Sequence, residues 1–82
     1  MDFTEKEMKV ARFFIEREGE GVLEVIRDID FFEAGLVDSL DLVSLAVYIE
    51  KQFGRKIDLA DPATLTASRR FDSLVRLVDG AG

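Results

Sequence analysis

Apolar positions recur at helical spacing in three stretches of this chain. The first opens on a capping box, with Thr4 as N-cap and Glu7 three residues later, and Phe3 and Met8 stand where a hydrophobic staple would pair them. Met8, Ala11 and Ile15 then line one face, widened by Val10 and Phe14, and Gly19 and Gly21 close the helix. The second runs from Ser39 to Phe53, with Asp38 as N-cap and Gly54 as the stop. The pattern predicts a third from about Ala67 to Val78, capped by Thr66, with Phe71, Leu74, Val75 and Val78 on one face. Pro62 directly after Asp61 predicts a further short helix over about 61–65. Residues 20–37 are long for a connection and strongly apolar: Val22, Leu23, Val25, Ile26, Ile29, Phe31, Phe32 and Leu36 call for burial. Their spacing does not decide between a helical turn and a strand. The closing Gly80-Ala81-Gly82 is expected to fray.

The second helix carries two apolar stripes. At about 100° per residue, Leu42, Leu45, Ala46, Ile49 and Phe53 share the side expected to face the core. Leu40, Val43 and Val47 form another stripe nearly opposite, beside Ser44 and Lys51. Three or four short helices cannot cover both sides, so the second stripe is expected to face a partner. The core expected is Phe14, Ile15, Leu42, Leu45, Ile49, Phe53, Phe71, Leu74 and Val78.

Composition narrows the chemistry. The 82 residues fit one small domain, and the absence of Cys and His removes disulfides, thiolate nucleophiles, most zinc sites and the usual base near neutral pH. A self-sufficient hydrolase or metalloenzyme is therefore not expected. The charged start from Met1 to Lys9 does not read as a signal peptide, and no apolar run is long enough to span a bilayer, so a cytoplasmic protein is expected. The formal charge of −6 is unevenly spread: residues 16–41 hold nine acids against Arg17 and Arg27. That field disfavours nucleic acid and attracts basic surfaces, although acidic loops also serve plain solubility.

Against that background one serine stands out. Gly35-Leu36-Val37-Asp38-Ser39-Leu40-Asp41-Leu42 delivers Ser39 from a glycine-bearing loop to the first turn of the two-striped helix, between two acids. There the free N–H groups and positive dipole end favour an anion, which Asp38 and Asp41 partly oppose. The stretch resembles the Asp-Ser-Leu signature of acyl and peptidyl carrier proteins. The capped helix before it, the apolar loop, Phe53-Gly54, Ile57 and the last amphipathic helix follow in that family's order, so the likeness spans nearly the whole chain. Asp72-Ser73-Leu74 repeats the tripeptide, but Ser73 lacks a preceding glycine and reads as a solvent-facing serine in mid-helix.

The resemblance implies an all-α four-helix bundle with three main helices and one short one, and residues 1–82 as a single carrier domain. It implies that Ser39 bears 4′-phosphopantetheine, supplied from coenzyme A by a phosphopantetheinyl transferase. The carried acyl intermediates would be thioesters delivered to synthases of lipid or secondary-metabolite biosynthesis, and the protein would be a monomer and not an enzyme. Asp38 and Asp41 would serve recognition by partners and by the transferase, with Leu40, Val43, Ser44 and Val47 as the docking surface. Ser44, Val47, Tyr48 and Lys51 interrupt the acidic run of fatty acid synthesis carriers. The loop Phe31-Phe32-Glu33-Ala34-Gly35-Leu36-Val37 is similar to freestanding carriers of secondary metabolism and to aminoacyl and D-alanyl carriers. An aminoacyl, peptidyl or D-alanyl carrier is thus the alternative within the class. An unmodified helical adaptor using the same helix face is the alternative outside it.

Overall fold

The computed structural model describes residues 3–80, and four α-helices account for most of them: α1 (Glu5–Glu18), α2 (Ser39–Phe53), α3 (Pro62–Ala67) and α4 (Phe71–Gly80). Each of the first three begins where its cap dictates. The Glu7 N–H donates to Thr4 Oγ1 at 3.1 Å while the Thr4 N–H donates to Glu7 Oε1 at 2.9 Å, closing the predicted box on α1. Asp38 caps α2 in the same reciprocal way, and Asp61 caps α3 with Pro62 in its first turn. Gly54 ends α2 at φ 69°, a left-handed conformation that suits glycine, and its N–H reaches Glu50 O.

Buried faces of α1, α2 and α4 meet the apolar loop in one core. Val10, Ala11, Phe13 and Phe14 enter it from α1, and Leu42, Leu45 and Ile49 from α2. Phe71, Leu74 and Val78 enter from α4, and Val22, Ile26, Phe31 and Val37 from the loop. Of the expected core, Ile15 and Phe53 are only half-buried, whereas Phe13 is buried and stacks edge-on against Phe14 with ring centroids 5.3 Å apart. The wheel of α2 holds: Ala46 and Phe53 flank the buried stripe, and Leu40, Val43 and Val47 are exposed.

The long connection resolves as a 3-10 turn over Glu20–Glu24 followed by turns, with a single bridged pair, Asp30 with Arg70. Val25 remains exposed rather than buried. Arg27 pins the segment to the starts of α1 and α4, where Phe3 and Phe71 meet with ring centroids 5.8 Å apart. Its guanidinium pairs with Glu7 and Asp72, each at 3.0 Å, and lies over the rings of Phe3 (4.5 Å) and Phe71 (5.4 Å). Long Arg side chains stabilise through such packing as well as through charge.

The last predicted helix is divided. Thr66 and Ala67 lie inside α3 rather than before α4, and the chain leaves helical geometry after Ser68. Buried Ser68 donates its hydroxyl back to Thr64 O at 2.9 Å. The Arg69 carbonyl is taken by the Phe31 N–H at 2.7 Å, so a tertiary bond replaces the intrahelical one that a continuous helix would need. Ser73 consequently falls in the first turn of α4, not mid-helix. It is half-buried, and its hydroxyl donates to Ala67 O (2.6 Å) and Arg70 O (3.2 Å), joining the two helices. Of the closing triplet expected to fray, Gly80 ends α4, and Ala81 and Gly82 lie outside the described residues.

Two outcomes follow from this packing. Leu45, 1 % exposed, should lose about 2–5 kcal/mol on replacement by Ala, while Val47→Ala should stay within about 0.5 kcal/mol; urea unfolding would separate them. Glu7 has its pKa lowered, chiefly by the Thr4 N–H bond and further by Arg27, and Asp30, Asp38 and Asp79 are lowered too. A carboxylate whose folded pKa is depressed stabilises above its unfolded value and loses that contribution as pH falls through the folded one. The thermal midpoint should therefore drop as pH falls below about 4. Glu7→Gln should lower the midpoint at neutral pH but flatten the acid slope, since the amide preserves a cap and loses the charge.

Candidate functional site

Ser39 is the first residue of α2, and the loop that delivers it is fixed through one peptide unit. The Phe31 carbonyl accepts from the Leu36 N–H at 2.9 Å and the Val37 N–H at 3.2 Å, and Gly35 makes the intervening turn at φ 76°. Val37 is buried immediately before the cap, so the chain emerges at Asp38 and presents Ser39 and Leu40 to solvent. Among the described residues no group hydrogen-bonds the Ser39 hydroxyl.

The two acids beside it are occupied. Asp38 Oδ1 accepts the Asp41 N–H at 2.8 Å, and Asp41 Oδ2 accepts the Asp38 N–H at 3.2 Å. The Asp41 N–H bond is the chief reason the Asp38 pKa is lowered, with the charge of Arg17 adding to it. Arg17, from the last turn of α1, also pairs directly with Asp41 and lies 5.0 Å over the Phe13 ring. The negative field foreseen around Ser39 is thus partly neutralised by a residue the sequence pattern did not single out. Its only signal was being one of two bases in a run of acids.

Leu40, Val43 and Val47 form an exposed strip down α2, with Leu40 79 % accessible, and Ser44 is exposed beside it. A groove of ≈ 490 Å³ adjoins the strip, lined by Phe32, Ser39, Leu42, Val43, Leu59, Leu65, Thr66 and Arg69. Sequence reasoning placed Ser39 and Val43 at the site but missed the opposite wall. Leu65, Thr66 and Arg69 reach it only because α3 folds back towards the start of α2. By contrast, the interior junction of Leu42, Leu45, Ile49, Ile57, Leu59, Ser68 and Leu74 has no room for a water molecule. Among the described residues no cluster suits a metal ion and no helix is long and apolar enough to cross a membrane.

A family model described as the phosphopantetheine attachment site matches residues 9–77. The chain belongs to that family. The comparisons with curated proteins and with solved structures found no match. Membership makes this a phosphopantetheine-carrying carrier domain rather than a catalytic one, in a family whose 4′-phosphopantetheine is covalently attached and whose members interact with phosphopantetheinyl transferases and synthases. The four-helix, strand-free architecture of the described residues agrees with it. The residues present fit such a group: an exposed, unengaged hydroxyl at a helix start, with an apolar groove alongside.

Because α2 is held at its start by reciprocal caps, Asp38→Ala should cost about 0.5–2 kcal/mol in chemical unfolding. Asp41→Asn, which retains an acceptor for the Asp38 N–H, should cost less than Asp38→Ala.

Proposed function

We propose that Ser39 is the attachment residue and that residues 1–82 act as one carrier domain without catalytic activity of its own. The supporting observation is the state of its hydroxyl. Ser39 offers an exposed, unengaged Oγ at the start of a capped helix, whereas Ser73, in the second Asp-Ser-Leu, spends its hydroxyl on the Ala67 and Arg70 carbonyls. On attachment the Ser39 Oγ displaces adenosine 3′,5′-bisphosphate from coenzyme A and gives up its proton, leaving a phosphodiester. When bound, the group supplies a thiol that holds acyl cargo as a thioester.

The chain's own part is presentation. Val37, buried, and the Asp38 cap fix where the serine emerges, and the core stripe of Leu42, Leu45 and Ile49 holds the helix against the bundle. Leu40, Val43, Ser44 and Val47 then offer the transferase and the acyl-transferring synthases a surface that is apolar at its centre. Asp38 and Asp41 border it, but both are engaged as caps and Asp41 also by Arg17, so apolar contact supplies most of the docking and charge orients the approach.

Intact mass after incubation with coenzyme A and a broad-specificity transferase tests the assignment. One phosphopantetheine should be added to the wild type and none to Ser39→Ala, whose circular dichroism should be unchanged. Ser73→Ala should be modified fully yet melt lower, since its hydroxyl joins α3 to α4. Modification that survives Ser39→Ala would move the site elsewhere. A wild type that a competent transferase leaves untouched would favour the unmodified adaptor.

A further inference from the structure

We propose that Arg69 makes the groove beside Ser39 selective for cargo ending in a carboxylate, that is, for short dicarboxylic acyl thioesters; this rests on the carrier reading of Ser39. The bundle interior is closed at the junction of α2 with Ile57, Leu59 and Leu74, so a tethered chain finds no cavity there. The groove that Ser39 itself lines is open, and its ≈ 490 Å³ lies in the range of about 300–1,000 Å³ typical of small-ligand sites.

Its walls are mainly apolar, with Phe32, Val43, Leu59 and Leu65 among them, and Arg69 is the one charged side chain among the lining residues. That guanidinium is held in place from behind. Its Nε pairs with Asp30 Oδ2 at 3.0 Å, and its plane lies 5.4 Å over the Phe32 ring. Asp30 is itself fixed, since its Oδ1 accepts the N–H groups of Phe32 (2.9 Å) and Glu33 (3.1 Å). The anchoring uses Nε and leaves the terminal nitrogens without a hydrogen bond among the described residues.

A positioned guanidinium fork in an apolar recess matches a carboxylate in both charge and geometry, and does so better than an ammonium would. The acidic run through residues 16–41 would discourage a free anion from approaching. Cargo tethered to Ser39 is different. It samples the groove at an effective concentration of the order of millimolar, which offsets that repulsion, so a modest local preference suffices to seat it.

The test uses the full chain, loaded by the transferase with succinyl- or acetyl-coenzyme A or left holo, and reads the Arg69 Nε–Hε resonance and the methyls of Val43, Leu59 and Leu65 by NMR. The succinyl form should move the Arg69 resonance and all three residues' methyls relative to holo, and the acetyl form should leave Arg69 where holo has it. Arg69→Gln should reduce the succinyl-induced methyl shifts to the acetyl level, and Arg69→Lys should retain only part of them. A succinyl form whose Arg69 signal matches holo, or an equal displacement by acetyl cargo, would overturn the proposal. Either result comes from protein of the correct loaded mass, so it leaves the carrier reading intact. A mass that does not change at the loading step would overturn both.

Discussion

The site depends on how the backbone of Phe31 is held on both sides. Its N–H is given to Arg69, between α3 and α4, and its carbonyl receives Leu36 and Val37, the residues that lead into Ser39. The fully buried side chain meanwhile stacks on Phe14 of α1, with centroids 4.3 Å apart. One residue thereby ties α1, the α3–α4 junction and the serine-bearing loop to a common point. Without it, the Arg69 carbonyl and the N–H groups of Leu36 and Val37 would lose their partners, and the run from Phe31 into Ser39 would lose its tie to the α3–α4 junction. Because the same residue reaches Arg69, the start of α2 and the far wall of the groove are set relative to each other.

Electrostatics around Ser39 act through short-range pairing more than through net charge. A composition of −6 with the acids gathered before residue 42 suggests a negative platform for basic partners. Locally, Asp38 and Asp41 bind each other's N–H groups, Arg17 answers Asp41, and Arg69 answers Asp30. Surface pairs of this kind add little stability individually. Their consequence here is positional: Asp38 and Asp41 fix the first turn of α2, and Asp30 fixes the guanidinium of Arg69.

How far the sequence revealed all this follows from the range of each interaction. The starts of α1, α2 and α3 and the end of α2 were legible to the residue, because Thr4, Asp38, Asp61 and Gly54 act on neighbours within a turn. The two stripes of α2 were legible for the same reason. The break at Ser68–Arg70 was not. Residues 62–78 read locally as a helix start followed by a second amphipathic stretch, and only the bond from Phe31, far away in the chain, fixes where one stops. Arg17 and Arg69 escaped notice on the same grounds, since nothing in their flanking residues announces Asp41 or Asp30 as partners. The serine stands out in the sequence because its setting is local, and the groove does not because its walls come from separate elements.

That division between a closed interior and an open groove has its own cause. Leu42 and Leu59 border both spaces, so a single row of side chains separates the dry junction from the surface. Ser68 helps close the inner side. It is buried, and by bonding Thr64 O within its own helix end it satisfies its hydroxyl without water. Opening the junction to admit a chain would require separating well-packed apolar groups, at a cost that scales with the volume created. Occupying the groove requires no such repacking, because Phe32 and Leu65 already stand partly exposed there. The lower-energy place for anything tethered at Ser39 is therefore the outer face, where the α3 wall and the start of α2 are held in register by the Phe31 backbone.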